Sequence, residues 1–106
     1  MQAYRDAQFE ALGDPTRRGI LEQLLNGGMA VGKLAEHFPV SRPAISQHLR
    51  VLEQARLVTH RNEGTRRVYQ LDQAGIDSLR EYFDRFWTQA LNAFKEKVEE
   101  PSTEEK

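Results

Sequence analysis

Val40-Ser41-Arg42-Pro43-Ala44-Ile45-Ser46-Gln47-His48-Leu49-Arg50-Val51-Leu52 is the stretch whose reading decides the fold. Ser41 stands where an N-cap belongs, its hydroxyl able to accept a backbone N–H of the first helical turn. Pro43 fits that turn, because N–H groups there have no intrahelical acceptor to lose. Ile45, Leu49 and Leu52 follow at steps of four and three and form one apolar stripe. The opposite face carries Arg42, Ser46, Gln47 and Arg50, side chains of the kind that hydrogen-bond to base edges and phosphates. A surface helix with merely solvated polar residues has the same pattern, so the neighbouring segments have to decide.

On the N-terminal side, residues 30–38 read as a short helix with Val31, Leu34, Ala35 and Phe38 apolar, and Pro39-Val40 as the turn that follows. Before it, Asp14-Pro15 is a strong helix start, with Asp as N-cap and Pro at the first helical position. Ile20, Leu21, Leu24 and Leu25 supply that helix's apolar face, and Asn26-Gly27-Gly28 ends it. Residues 2–12 predict a first helix, with Ala3, Tyr4, Ala7 and Ala11 on one side and Phe9 and Leu12 toward another. Beyond the central helix, residues 57–62 and 66–71 are two β-favouring runs around Glu63-Gly64-Thr65, which read as a hairpin. Residues 73–98 form one long helix of about 39 Å. The order predicts a mainly α fold with a small β-hairpin, a winged helix-turn-helix with a two-stranded wing and a long C-terminal dimerisation helix.

With 106 residues the chain makes one domain, expected over 1–100, with a polar tail at 101–106 expected to be disordered. No apolar run approaches the roughly 20 residues that span a bilayer, and the start lacks the layout of a signal peptide. Cysteine is absent, which removes disulfides, thiolate metal sites and thiol switches. These features together suggest a cytoplasmic protein. The net charge of −1 hides a polarity: residues 41–70 balance to +4 and residues 71–106 to −4. That split would orient the chain on a polyanion. Catalysis has no nucleophilic cysteine, phosphate loop or recognisable carboxylate pair to stand on, so no enzyme and no cofactor are expected.

Gly13-Asp14-Pro15-Thr16-Arg17-Arg18, Leu34-Ala35-Glu36-His37-Phe38 and Ser41-Arg42-Pro43-Ala44-Ile45-Ser46-Gln47-His48-Leu49-Arg50-Val51-Leu52-Glu53 resemble the arsenic-repressor (ArsR) family of bacterial regulators. The wing Asn62-Glu63-Gly64-Thr65-Arg66-Arg67-Val68-Tyr69-Gln70-Leu71 extends the resemblance, which covers about residues 5–98. It implies a homodimeric winged-helix repressor that releases its operator when an inducer binds. Two departures imply a member without the usual metal sites. Ala30-Val31-Gly32 stands where sensors that use the third helix place two cysteines, and residues 73–98 lack the histidine of sensors that use the last helix. Many members also have Gly where Arg56 stands. Arg56 either takes the left-handed conformation, at a cost of about 1 kcal/mol, or the helix ends differently.

Arg42, Ser46 and Gln47 are expected to meet base edges. Arg50, Thr16 and Arg17 are expected to meet phosphates, the last two at a helix start that favours anions. Ser41, Pro43 and His48 complete the helix contribution. On the wing, Arg61, Thr65, Arg66 and Arg67 are candidates for the minor groove or phosphates. Alternation sends Arg66 and Arg67 to opposite faces, so not all of them are expected to touch DNA. His37, His48 and His60 lie on three different elements and make no metal site.

The last helix is apolar on too many sides. Ile76, Leu79, Phe83, Phe86, Ala90 and Phe94 form one stripe, and Tyr82, Trp87, Leu91 and Val98 a second. A second copy of the chain would cover what one core cannot, joined by Tyr4, Ala7 and Ala11 of the first helix. A ligand pocket lined by Phe83, Phe86 and Trp87, for a small-molecule effector of unknown identity, is the other use of these aromatics. The rival to operator binding is a winged-helix module that binds another protein.

Overall fold

The computed structural model describes residues 4–98; the tail expected at 101–106 and Ala3 of the first helix lie outside them. The elements are α1 (Arg5–Leu12), α2 (Pro15–Leu24), β1 (Met29–Ala30), α3 (Val31–Ala35), α4 (Arg42–Gln54), β2 (Val58–Glu63), β3 (Arg66–Leu71) and α5 (Gln73–Val98). The Asp14 carboxylate accepts the Arg17 N–H at 3.0 Å and starts α2 at Pro15, as the Asp-Pro pair requires. Ile20 and Leu24 of α2 are buried. Leu25, expected on the same apolar face, is 72% exposed, because it lies one residue past the helix. Gly19 lets Phe38 lie against α2: a Cβ there would stand 2.8 Å from the Phe38 ring.

The helix expected over 30–38 is α-helical only through Ala35. Glu36, His37 and Phe38 each donate to the carbonyl three residues back, the tighter 3₁₀ pattern. Its first expected residue, Ala30, belongs to a strand instead. Met29 and Ala30 pair antiparallel with Tyr69 and Val68. The expected two-stranded wing is therefore a three-stranded sheet in the order β1-β3-β2. The hairpin itself follows the sequence, with Glu63 opposite Arg66 across Gly64-Thr65. Gly64, at φ +63°, supplies the positive φ that the first central residue of such a turn needs.

Helix α4 fulfils its stripe. Ile45, Leu49 and Leu52 are fully buried, against Ile20, Leu24, Leu34, Leu57 and Val58. Ser41 caps it by accepting the Ala44 N–H at 3.2 Å. At its far end the Leu57 N–H bonds the Leu52 carbonyl and the Arg56 N–H the Glu53 carbonyl. That is a complete Schellman motif. Arg56 takes the left-handed position, φ +62°, which a Schellman motif usually gives to Gly. Its guanidinium lies over the Tyr4 ring at 4.6 Å, a contact Gly could not make.

Asp72 starts α5 by accepting the Gly75 N–H at 3.2 Å. Ile76 and Leu79 pack on the core, and Tyr82 is half-buried. Every residue from Phe83 to Val98 is exposed, so both expected stripes leave the protomer's own core behind after the third turn. The molecule is drawn out to 71 × 27 × 23 Å. Its radius of gyration, 19.1 Å, compares with about 13 Å for a compact domain of this length.

Candidate nucleic-acid interface

The solvent face of α4 carries Ser41, Arg42, Pro43, Gln47 and Arg50 exposed, with Ser46 and His48 half-buried beside them. Arg50 donates to Gln47 Oε1 at 2.6 Å. That bond occupies the amide oxygen and leaves the Gln47 NH₂ as a donor held in place by a cation. The pair presents one oriented polar edge rather than two independent side chains.

Arg42 is placed differently from the expectation. Its guanidinium folds back on α3, where a Cβ at Gly32 would stand 2.7 Å from it. Gly32 is thus the residue that makes room for Arg42. Lys33, Arg42 and Arg66 line one cleft of about 540 Å³ together with backbone from Gly28 to Ala30. Three cations line it, and one of them, Arg66, also lies 3.8 Å from the Glu63 carboxylate. Lys33 carried no sequence signal of its own; its position beside Arg42 and Arg66 depends on β1 joining the sheet.

The wing separates its arginines by face, as alternation predicts. Arg67 turns toward α4, lining a groove with Ser46, Arg50, Glu53 and Tyr69. Arg66 turns toward α3. Arg61 is held at home: it donates to Glu63 at 2.8 Å and also to Gln70. Thr65 is exposed at the tip. The wing is fixed to α4 by His60, whose Nδ1 lies 2.8 Å from the Glu53 carboxylate and whose ring lies 5.4 Å from that of Tyr69.

Arg17 is engaged within the protomer. Its Nε donates to the Ala11 carbonyl at 2.8 Å and its Nη2 to Glu10 at 3.3 Å, while Nη1 faces His48 Nδ1 at 3.3 Å. Arg18 donates to the Leu12 carbonyl at 2.7 Å. The two arginines bond the last carbonyls of α1, of which that of Glu10 also accepts the Gly13 N–H, and oppose its negative pole. Arg17 pins α1, α2 and α4 together through these bonds. His48 shares the pin, with Nε2 4.0 Å from Asp14. The Arg17 N–H bond holds the Asp14 carboxyl below its usual range; the charges of His48 and Arg17 act the same way, and burial opposes them. Thr16 is half-buried in the same turn. His37, His48 and His60 do not converge, and no group of three or more metal-ligating side chains occurs among the described residues.

Along α5 the exposed aromatics touch one another. Phe86 and Trp87 meet edge to face at 5.4 Å, and Phe9 of α1 meets Tyr82 and Phe83 at 5.5 and 5.8 Å. Phe86, Trp87, Leu91 and Phe94 are 49–67% exposed. Of the α1 residues expected to join a partner, Tyr4 is exposed, but Ala11 is fully buried in the protomer's own core and Ala7 packs on it. Small residues on a helix let another helix approach closely, and here that helix is intramolecular. Phe9, assigned to the other side, is the second exposed ring of α1.

The profile described as bacterial regulatory protein, arsR family, matches residues 14–60. The chain is 54% identical over 101 residues to the HTH-type transcriptional regulator Rv2034 of Mycobacterium tuberculosis, covering 93% of this chain and 94% of the relative. It belongs to the ArsR family. Transcriptional repressor SdpR of Bacillus subtilis is 45% identical over 64 residues, 60% of this chain and 71% of the relative. Among solved structures, an ArsR-like transcriptional regulator from Rhodococcus sp. RHA1 superposes with a TM-score of 0.76 at 31% identity, covering 93% of this chain and 96% of that one. This ArsR-family chain is therefore a DNA-binding transcriptional regulator of winged helix-turn-helix architecture, and not an enzyme.

Proposed function

We propose that the chain is a twofold dimeric repressor that reads an inverted-repeat operator. The observation that carries this reading is the bare aromatic face of α5, exposed from Phe83 to Val98. A monomeric domain rarely leaves so continuous an apolar strip in water. Pairing two such faces about a twofold axis covers both at once. Two α4 helices then enter major grooves about one helical turn apart, roughly 34–36 Å. Such a regulator works where the chromosome is, in the cytoplasm; among the described residues no helix is long and apolar enough to cross a membrane. Selection of bound duplexes from a random pool tests the reading: an inverted repeat supports it, and a single unrepeated site sinks it.

Within each half-site Gln47, oriented by Arg50, reads bases with Ser46 beside it. Arg67 lies over the same groove, and Lys33, Arg42 and Arg66 hold the adjacent backbone phosphates. Gln47→Ala costs about 1–3 kcal/mol on the selected operator and relaxes preference at particular base pairs. Arg42→Ala and Arg67→Ala weaken every sequence alike and lower the salt slope by about one unit each. Equal base preferences for Gln47→Ala and the wild type would remove Gln47 from base readout.

Metals do not act through the family's familiar positions. Gly32 is filled against by Arg42, and Ala30 pairs in the sheet. Zinc, cadmium and arsenite, titrated against the operator complex at fixed salt, leave affinity unchanged. Stoichiometric release by one of them, abolished by changing Asp77 or Asp84, would contradict this.

A further inference from the structure

A pocket of about 700 Å³ opens between α1 and the start of α5, behind the end of the recognition helix. Tyr4, Gln8, Arg56, Ser78, Glu81 and Arg85 are among its walls. Its volume is in the range of small-molecule sites. We propose that this pocket binds a small organic carboxylate, with the Arg56 guanidinium as its anchor.

The floor is rigid. Arg56 is fixed by the Schellman hydrogen bonds, and Gly75 presses on it so closely that a Cβ at 75 would overlap the Arg56 carbonyl oxygen. Gln8, 2% exposed, ties α1 to the same place by donating to the Gly75 carbonyl at 3.3 Å. From this base the Arg56 side chain lies flat on Tyr4 at 4.6 Å. Stacking occupies one face of the guanidinium and leaves its edge, the part that forms paired bonds to a carboxylate. No hydrogen bond or ion pair engages that edge among the described residues.

The charge of the lining selects the ligand. Among the described lining residues Arg56 and Arg85 stand with Asp77 and Glu81, so the wall carries both signs and no excess of cations that would favour a phosphate dianion over a monoanion. The volume far exceeds one carboxyl group, and the Tyr4 ring and the Ala74 methyl offer apolar wall for an organic body. Arg56 holds the left-handed conformation where Gly would be unstrained, and outliers of this kind cluster at binding sites.

Position gives the site a consequence for DNA, which rests on the operator reading above. Arg56 follows the end of α4, Gly75 lies in the first turn of α5, and Tyr4 is the N-cap of α1. A carboxylate there bears on the joint between the reading helix and the dimer arm. Its binding changes operator affinity by altering how the two α4 helices are spaced.

The test uses the ¹⁵N-labelled full chain without DNA, titrated with benzoate and, separately, inorganic phosphate. Benzoate shifts the Arg56 Nε–Hε signal and the Gly75 and Ser78 amides in a saturable way; phosphate does not. Arg56→Gly keeps the left-handed turn without strain, so its amide spectrum stays folded. It weakens benzoate binding at least about tenfold. No saturable shift with benzoate, an unchanged response in Arg56→Gly, a phosphate response equal to that of benzoate, or shifts centred on Trp87 each overturn the site. A second arm measures operator affinity with and without saturating benzoate. A change in the wild type that Arg56→Gly lacks supports the coupling, and no change overturns the coupling. A chain that bound no DNA would strike the operator reading, while the DNA-free titration would still decide the pocket.

Discussion

Trp87→Glu turns the dimer into monomers and lowers operator affinity about a hundredfold, roughly 2.8 kcal/mol. Trp87 is 56% exposed in the protomer and touches Phe86 edge to face. On a twofold axis every residue appears twice, so one substitution puts two carboxylates into the apolar interface. On its own helix the new carboxylate has no cation within a turn: Phe83, Asp84, Ala90 and Leu91 stand three and four residues away. Burying unpaired carboxylates costs several kcal/mol, more than the apolar contact there returns. The helix survives, because Trp87 supports none of the protomer's core. Sedimentation then shows a monomer while far-ultraviolet circular dichroism keeps its helical content. Each monomer holds one half-site, so the joint binding of two is lost. A variant that stays dimeric, or a monomeric wild type that holds a half-site at full strength, would overturn the interface.

Gly75→Ala destabilises the fold by about 2 kcal/mol, the usual scale of overpacking. Ordinarily Gly→Ala inside a helix stabilises by up to about 1 kcal/mol. Here the sign reverses, because the added methyl meets the backbone of Arg56 and not the end of a flexible side chain. To admit it, α5 must lift from the end of α4. The Gln8 bond to Gly75 and the Asp72 cap on the Gly75 N–H are disturbed by that shift. For a chain of this size the midpoint of thermal unfolding falls by about 10 °C. An unchanged or raised midpoint would mean that α4 and α5 part without cost. The same variant also moves the dimer arm relative to the reading helix, so operator affinity falls even where the chain remains folded.

The elements with local causes were open to reading from the chain alone. Ser41 and the Ile45, Leu49, Leu52 stripe define α4; Asp14-Pro15 starts α2; Gly64 turns the hairpin; residues 73–98 hold their helix to both ends. Each rests on hydrogen bonds and periodicities that span a few residues, and a cap or a stripe carries its own evidence. The polar face of α4 and the surplus of apolar positions on α5 follow from the same spacing. What the chain could not disclose are pairings across long separations. Met29 and Ala30 become a strand only because Tyr69 and Val68, about forty residues on, supply the hydrogen bonds. Ala11 is core and not interface because a neighbouring helix reaches it first. Arg17 looks like any helix-start arginine until the end of α1 is laid beside it, and Arg42 points at bases until Gly32 offers it a seat. Arg56 left two outcomes open, and the Schellman bonds with the Tyr4 ring chose the left-handed one. Periodicity states which face of an element is apolar or charged. Which neighbour claims that face is a matter of long-range packing, and here that competition turned Arg17 toward the end of α1 and Arg42 toward Gly32.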